Sequence, residues 1–442
     1  MSDKVLILGL SKSGISAAEF AIKCGYDVYI TESNPPKDEY KDKIQNLIDM
    51  GIHIETNGHT DNFLKGAKFA VTSPGISPKS DLFKKLNNIG VPIISEIEFA
   101  YINTETPFIA ITGTNGKTTT TSLVSHILDA KYKAPCCGNI GVPPTSLISD
   151  NYDYLVCEVS SYQAQMTNRF KPYISVWTNF TPDHIDWHGG LENYFNAKAK
   201  IFIGNQSPQY AVLNAGDSKL LDFSKKCTNS TVFMFDTDKT DNCCYIKDNS
   251  IWYKQNGEST KIIDISDCPL VGHHNYQNIM CGIICAMLCG IDKNLIKEKI
   301  MSFKAPEHRL EKVREFDGIT FYNDSKATNP EASIVAIDSF NDVNVALILG
   351  GRDKNTDLTE MCNSINKHIN TVLLIGEATE RFENNLKKNG FNNIIKENTM
   401  ENAIDKAISL HPDVVLLSPA CASFDMFKSY EHRGEVDRKS VV

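Results

Sequence analysis

A chain of 442 residues has room for about three domains at ~150 residues each, and its 41% hydrophobic and 22% charged content is that of an ordinary globular protein. Its 45 basic and 54 acidic residues give a net charge of -9, which argues against a nucleic-acid-binding surface, normally basic. No apolar run approaches the ~20 residues of a membrane span, and Val5–Leu10 is too short for the core of an export signal. The 13 cysteines include no C-x2-C pair, so no zinc site is expected and the thiols read as reduced, in a cytoplasmic protein. Cys281, Cys285 and Cys289 fall four apart in an apolar helical stretch and read as packing residues.

Residues 1–98 read as one α/β unit. Strand Lys4–Leu8 runs into a glycine turn and a helix ending at Gly25, and strand Asp27–Thr31 closes on Glu32. The turn is G-x-x-x-x-G, from Gly9 to Gly14. It lacks the middle glycine of the dinucleotide fingerprint, Lys12 and Ser13 standing there instead, which weakens an NAD reading. The helix N-terminus is still able to take a pyrophosphate. Strand Phe69–Thr72, the turn SPGIS (Ser73 to Ser77) and strand Pro92–Ser95 complete the unit.

Residues 99–304 read as a second domain, built around PFIAITGTNGKTTTTSLVSHILDA from Pro107 to Ala130. A buried strand over Phe108–Thr112 meets a tight turn at Gly113–Gly116, and a helix follows from Thr118, with Lys117 at the join. Such a turn presents backbone N–H groups and the positive end of the helix dipole to a polyphosphate; the lysine adds charge, and a threonine hydroxyl is placed to hold Mg2+. The turn is shorter than the common G-x-x-x-x-G-K-[ST], since Ile111 occupies the place of its first glycine. Strand Tyr154–Val159 carries Glu158 near its end, the usual second partner of Mg2+ beside such a loop. Strand Ile174–Thr178 leads into a loop where His184, Asp186 and His188 crowd together, and a helix is expected over Glu192–Phe202 with Lys198 and Lys200 on it. Residues 208–270 are strand-like without a motif. A helix over His273–Gly290 places Asn275 and Asn278 on one face, where side-chain amides are able either to read a base or to cap the helix.

A third domain, residues 305–442, starts near Pro306, with Arg309 following a linker. Strands Ile319–Asn323, Val345–Leu349, Thr371–Ile375 and Val414–Leu417 each end in a polar, charged or glycine-rich cluster. In a parallel α/β sheet the ligand crevice lies outside those carboxyl ends. The fold class expected is therefore α/β with three domains: a Rossmann-like first domain, a P-loop ATPase-type second domain with a mainly parallel sheet, and a Rossmann-like third.

The stretches GTNGKTT, GNIG (Gly138 to Gly141), EVSSYQ, NFTPDHIDWHG, HNYQN, HR, NDSKATNP and SPACASFDMFKSYEHRG together resemble the Mur ligase family of peptidoglycan synthesis, across nearly the whole chain. The C-terminal stretches are most similar to the D-glutamate-adding branch, and the D-N-P-R stretch of the diaminopimelate- or lysine-adding branch is absent. The resemblance implies an ATP-dependent amide bond between UDP-N-acetylmuramoyl-L-alanine and D-glutamate, made through an acyl phosphate by a cytoplasmic monomer with no nucleic acid or membrane partner.

It also implies roles for residues. ATP would contact Gly113, Thr114, Asn115, Gly116, Lys117, Thr118 and Thr119, and further Asn275, Asn278, Arg309, Asp324 and Lys326. Two Mg2+ ions would be held by Thr118, Glu158, His184 and a carbamylated Lys198, with Lys117, Glu158, His184 and Lys198 as the catalytic set. The UDP-sugar would lie along Ser11, Gly14, Glu32, Gly75, Asn139 and His184, and D-glutamate against Thr328, Lys354, Ser423 and Tyr430. The competing expectations are an NAD-dependent oxidoreductase on the N-terminal unit, a nucleotide-binding switch without ligase activity, and a sister ligase using another amino acid.

Overall fold

The protein is described from a computed structural model covering residues 2–36, 41–148, 150–270, 272–304, 307–340, 342–353 and 356–441. Its backbone divides into two compact units, Met1–Cys268 with Gln277–Phe303, and Pro269–Tyr276 with Lys304–Val442.

The first unit carries two sheets. Strands β1 (Lys4–Leu8), β2 (Asp27–Thr31), β3 (His53–Glu55), β4 (Phe69–Thr72) and β5 (Ile93–Ser95) pair in parallel in the order β3-β2-β1-β4-β5. Alternating residues of β1 serve two cores. Val5 and Ile7 pack with the helix Lys12–Lys23, while Leu6 and Leu8 face Leu82, Phe83 and Leu86 of the helix Asp81–Asn88. Burial on both faces is why this strand reads as an unbroken apolar run.

The larger sheet holds β6 (Phe108–Thr112), β7 (Cys136–Gly138), β8 (Leu155–Glu158), β9 (Ile174–Trp177), β10 (Tyr210–Asn214), β11 (Thr231–Phe235), β12 (Cys243–Lys247), β13 (Ser250–Gln255) and β14 (Glu258–Asp264), in the order β14-β13-β12-β11-β10-β9-β6-β8-β7. Among the described residues only its β12–β13 and β13–β14 pairings are antiparallel. β6 is buried throughout, between β8 and β9, so the loop that follows it leaves from the middle of a rigid layer. The helix Glu96–Tyr101 joins the two cores: Phe99 packs into the first sheet's cluster, Ile97 and Ala100 into the second's.

In the second unit, β15 (Glu311–Phe316), β16 (Ile319–Asn323), β17 (Val345–Gly350), β18 (Thr371–Ile375), β19 (Ile394–Lys396) and β20 (Val414–Leu417) run in the order β15-β16-β20-β17-β18-β19. All its pairings are parallel except that of the edge strand β15. Apolar clusters lie on both faces. The architecture is thus α/β with mainly parallel sheets, as expected.

Several local readings shift. The helix expected over Glu192–Phe202 spans Leu191–Ala199 and tightens into a 3-10 turn at Lys200–Phe202. The motif-free stretch 208–270 holds five strands and the helix Ser218–Ser224, whose first turn Asp217 caps. No helix among the described residues is long and apolar enough to cross a membrane.

Candidate active site

The strand order of the first sheet reverses between β1 and β4, the place where a doubly wound sheet opens a ligand crevice. Ser11 lies there. It N-caps the helix Lys12–Lys23 by accepting from Gly14 N–H at 3.3 Å, and its hydroxyl meets that of Ser73 at 2.8 Å across the reversal. Gly14 is required: a side chain there would overlap the Gly9 carbonyl oxygen. Glu32 turns inward at the end of β2. Burial works against its charge, yet the Leu10 and Asn34 N–H groups and the side chains of Ser33 and Asn34 hold its carboxyl below the usual range. Gly75 stands exposed in its turn with open space where a Cβ would be. Ser11, Gly14, Glu32 and Gly75 therefore share one end of one sheet.

The loop Gly113–Gly116 connects β6 to the helix Lys117–Leu128. Gly116 is the N-cap at φ 80, and no side chain caps this helix. Glycine is needed at both ends of the loop: a Cβ at Gly113 would overlap Thr178 Oγ1, and one at Gly116 would approach Asn278 Oδ1 to 2.7 Å. Lys117 folds back on the loop, donating to the carbonyls of Gly113 (2.9 Å) and Thr114 (2.7 Å). Thr118 donates to Glu158 Oε2 at 2.8 Å, and Asn139 donates to Glu158 Oε1 at 2.8 Å. Glu158 is 2% exposed. A buried carboxylate beside a threonine hydroxyl is a hard-oxygen donor set of the kind Mg2+ takes, so these two residues fit that ion. Thr119 is buried beside Thr118. Asn278 accepts from Thr120 Oγ1 at 3.0 Å, at the foot of the loop, and Asn275 is buried one turn earlier on the same helix.

Lys198 is 1% exposed, and its Nζ donates to the Gly113 carbonyl at 2.7 Å. Two lysine side chains, Lys117 and Lys198, thus converge on one carbonyl oxygen. Burial first, then the like charge of Lys117, holds the Lys198 amine well below the ordinary lysine range, against the pull of Asp183 and Glu158. A neutral amine is a nucleophile, whereas an ammonium is not.

The three side chains of the His184 loop part company. His184, at φ 52, sits 3.4 Å from Asp183 Oδ2 and packs near the Tyr162 and Tyr194 rings; Asp186 is exposed. His188 is buried, its Nε2 3.0 Å from Ser161 Oγ; burial and then the nearby His184 push it down to about 4. Among the described residues no three His, Cys, Asp or Glu side chains gather as a ready metal cluster.

In the second unit, Asp324 follows β16. It accepts from Leu310 N–H at 3.1 Å and Ser418 Oγ at 2.8 Å, and burial lifts its carboxyl to about 6 against the opposing pull of Arg309. Arg309 lies between His308 (φ 61) and Leu310 (φ 43), two non-glycine residues in the left-handed region, where strain concentrates at functional sites. Lys326 stands 5.6 Å from the centre of the Tyr430 ring. Ser423 is 2% exposed, and Thr328 is half-buried just before the helix Pro330–Ile337. Lys354 lies outside the described residues.

Two residues not singled out from the sequence stand close to these loops. Asn179, two residues past the end of β9, bonds the peptide of Asn115. Arg433 is fully buried and donates to Ser325 Oγ, Ser325 O and Cys421 O at 2.9, 2.8 and 3.0 Å, tying the loop after β16 to the loop after β20. Both fall inside the distinctive stretches NFTPDH and EHRG, but nothing in spacing says that they face inward.

Comparison with known proteins matches three regions to family descriptions. The Mur ligase MurD-like N-terminal domain covers residues 3–95, the Mur ligase middle domain 111–286, and the Mur ligase glutamate ligase domain 308–421. A UDP-N-acetylmuramoylalanine--D-glutamate ligase of Clostridioides difficile is 38% identical over 448 residues, spanning 99% of this chain and 98% of that protein. One from Caldanaerobacter subterraneus is 37% identical, with the same spans. Among solved structures, MurF from Acinetobacter baumannii aligns with a TM-score of 0.63 at 15% identity, over 99% of this chain and 93% of that one. UDP-N-acetylmuramate-alanine ligase from Thermotoga maritima aligns with a TM-score of 0.60 at 19% identity, over 99% of each. On matches that span its length, this chain belongs to the Mur ligase family.

Proposed function

We propose that the protein is an ATP-dependent ligase that adds D-glutamate to UDP-N-acetylmuramoyl-L-alanine in the cytoplasm, as a monomer, during peptidoglycan precursor synthesis. The activity for which its relatives are named and the match to a glutamate ligase domain support the choice of amino acid. The observation that carries the chemistry is the convergence of Lys117, Lys198, Thr118 and Glu158 around one glycine loop. On this reading residues 1–98 take the nucleotide sugar, 99–304 the ATP and 305–442 the amino acid.

The reaction runs in two steps. The alanyl carboxylate attacks the γ-phosphorus of ATP, forming an acyl phosphate and releasing ADP. The D-glutamate amine then attacks the acyl carbon, and the C–O bond to phosphate breaks; phosphate leaves, and the amine's proton passes to solvent. A carboxylate is a poor electrophile, so the first step creates the leaving group that the second needs. Bringing an anion to a triphosphate takes positive charge and positioning more than covalent help. Lys117 supplies charge at the β- and γ-phosphates. Thr118 and Glu158 would hold one Mg2+, and His184 with a carbamylated Lys198 would hold a second; bound there, such ions would supply positive charge to the phosphoryl oxygens. Carbamylation of Lys198 would join its amine, in the unprotonated form that burial favours, to CO2 with loss of a proton, and would convert a side chain that repels a metal into an oxygen ligand. Ser11, Gly14, Glu32, Gly75 and Asn139 position the UDP-sugar. Asn275, Asn278, Arg309, Asp324 and Lys326 bind the remainder of ATP, and Thr328, Lys354, Ser423 and Tyr430 bind D-glutamate.

The test is phosphate release with ATP, Mg2+ and UDP-N-acetylmuramoyl-L-alanine against a panel of D-glutamate, L-alanine, L-lysine and diaminopimelate. Release that depends on D-glutamate and yields the dipeptidyl product is expected. Release with another amino acid would make it a sister ligase, and release independent of both acceptor substrates would make it a nucleotide switch.

A further inference from the structure

The turn after β9 grips the phosphate loop in a way the reaction above does not use. Asn179 pairs with the peptide of Asn115 from both sides of its amide: its Oδ1 accepts the Asn115 N–H at 2.8 Å, and its Nδ2 donates to the Asn115 carbonyl at 3.1 Å. Thr178 Oγ1 donates to that same carbonyl at 2.6 Å. The Asn179 carbonyl accepts the Thr114 N–H at 3.1 Å, and the Thr181 N–H donates to Thr114 Oγ1 at 3.0 Å. The N–H groups of Thr114 and Asn115 are therefore both spent on protein. In a nucleotide loop such groups normally point at phosphate oxygens.

We infer that Asn179 is a positioning residue for ATP: it fixes the Asn115 peptide so that the backbone N–H cradle for the phosphates begins at Gly116 and not at Thr114, a narrower set of loop donors than the resemblance implies. The inference rests on the ATP-dependent reading of the site and deepens it. The physical case is one of pre-organisation. Gly113 (φ 151) and Gly116 (φ 80) give the loop backbone freedom that other residues lack, so an unrestrained loop would sample many shapes and ATP would have to select one. Asn179 and Thr178 remove that freedom before ATP arrives. Aspartate would not serve at position 179, because it lacks the N–H that reaches the Asn115 carbonyl.

The experiment measures steady-state kinetics of the full chain with Asn179→Ala and, separately, Thr178→Val, varying each of the three substrates in turn. Asn179→Ala deletes two hydrogen bonds on Asn115, so KM for ATP is expected to rise roughly tenfold, while KM for UDP-N-acetylmuramoyl-L-alanine and for D-glutamate stays within about twofold. Thr178→Val deletes one on Asn115 together with the longer contact to the Thr112 carbonyl, keeps the side chain's shape, and is expected to raise KM for ATP by about threefold. Hydrogen exchange of the 113–116 amides should quicken in both variants without ATP and return towards wild type at saturating ATP. An unchanged KM for ATP in either soluble variant, or three KM values rising together, overturns the inference. Should Asn179→Ala fail to fold, Thr178→Val alone decides by the same criterion. A wild-type protein that forms no product fails the ligase reading instead, and the two failures are thereby told apart.

Discussion

Replacing Glu96 by glutamine should make the protein less sensitive to alkali. Glu96 is fully buried at the start of the helix Glu96–Tyr101, and burial lifts its carboxyl from the ordinary 4.5 to about 7. Both of its hydrogen bonds, from Thr145 N–H at 2.7 Å and Thr145 Oγ1 at 2.6 Å, fall on the same oxygen, Oε1. A glutamine amide oxygen is able to accept both, so Glu96→Gln mimics the protonated acid. In the unfolded chain the acid ionises near 4.5, whereas in the folded protein it holds its proton to about 7. Across that window the folded form binds more protons than the unfolded one, so its stability falls as pH rises. The shift corresponds to about 3 kcal/mol, present below the lower value and lost above the upper. Denaturant or thermal unfolding of both proteins at pH 4.5, 6 and 8 measures it. Asp324 and Asp437, lifted by burial to about 6 and about 8, titrate identically in both proteins and cancel in the comparison. The variant should match wild type at pH 4.5 and exceed it by about 3 kcal/mol at pH 8. A gap that stays constant with pH, or that narrows as pH rises, refutes the reasoning.

Two further outcomes follow from the site. Lys198→Ala should abolish product formation, with bicarbonate or short carboxylic acids modulating any residual rate; full activity in this variant would remove the carbamate from the scheme. Arg433→Met should cost about 2–4 kcal/mol in thermal or denaturant unfolding, because it removes the guanidinium donors from the buried Ser325 and Cys421 carbonyls; a loss below about 1 kcal/mol would mean that water or relaxation replaces them.

Much of the scaffold was legible in the sequence. β1, β2, β4, β6, β16, β18 and β20 fall where they are predicted, and β1, β6, β18 and β20 give the unbroken signal of strands buried on both faces. The strands that escaped notice are edges. β3, β7 and β19 are three residues long, and β15 is polar and partly exposed, so neither length nor pattern marks them. The meeting of Thr118 with Glu158 was predictable from the strand–loop–helix order. The burial of Lys198 was not, since a lysine on a short helix reads as solvated until the neighbouring loop is placed over it. The His184, Asp186 and His188 cluster read as one group because the three are close in sequence; the short helix Ile185–His188 sends them different ways. Asn179 and Arg433 could be found only from partners 64 and 108 residues distant.

The helix Glu96–Tyr101 also bears on any attempt to recombine these proteins. Glu98 on it accepts the backbone N–H groups of Asn168, Arg169 and Phe170 at 3.0, 2.7 and 2.9 Å. A fragment cut after residue 98 would carry away two acids stripped of every donor that now answers them, and would leave Phe99 behind. A chimera that transplants the nucleotide-sugar module onto a foreign ATPase body must therefore bring this helix together with its receiving turns at Thr145 and at 168–170, or accept raw carboxylates at the seam.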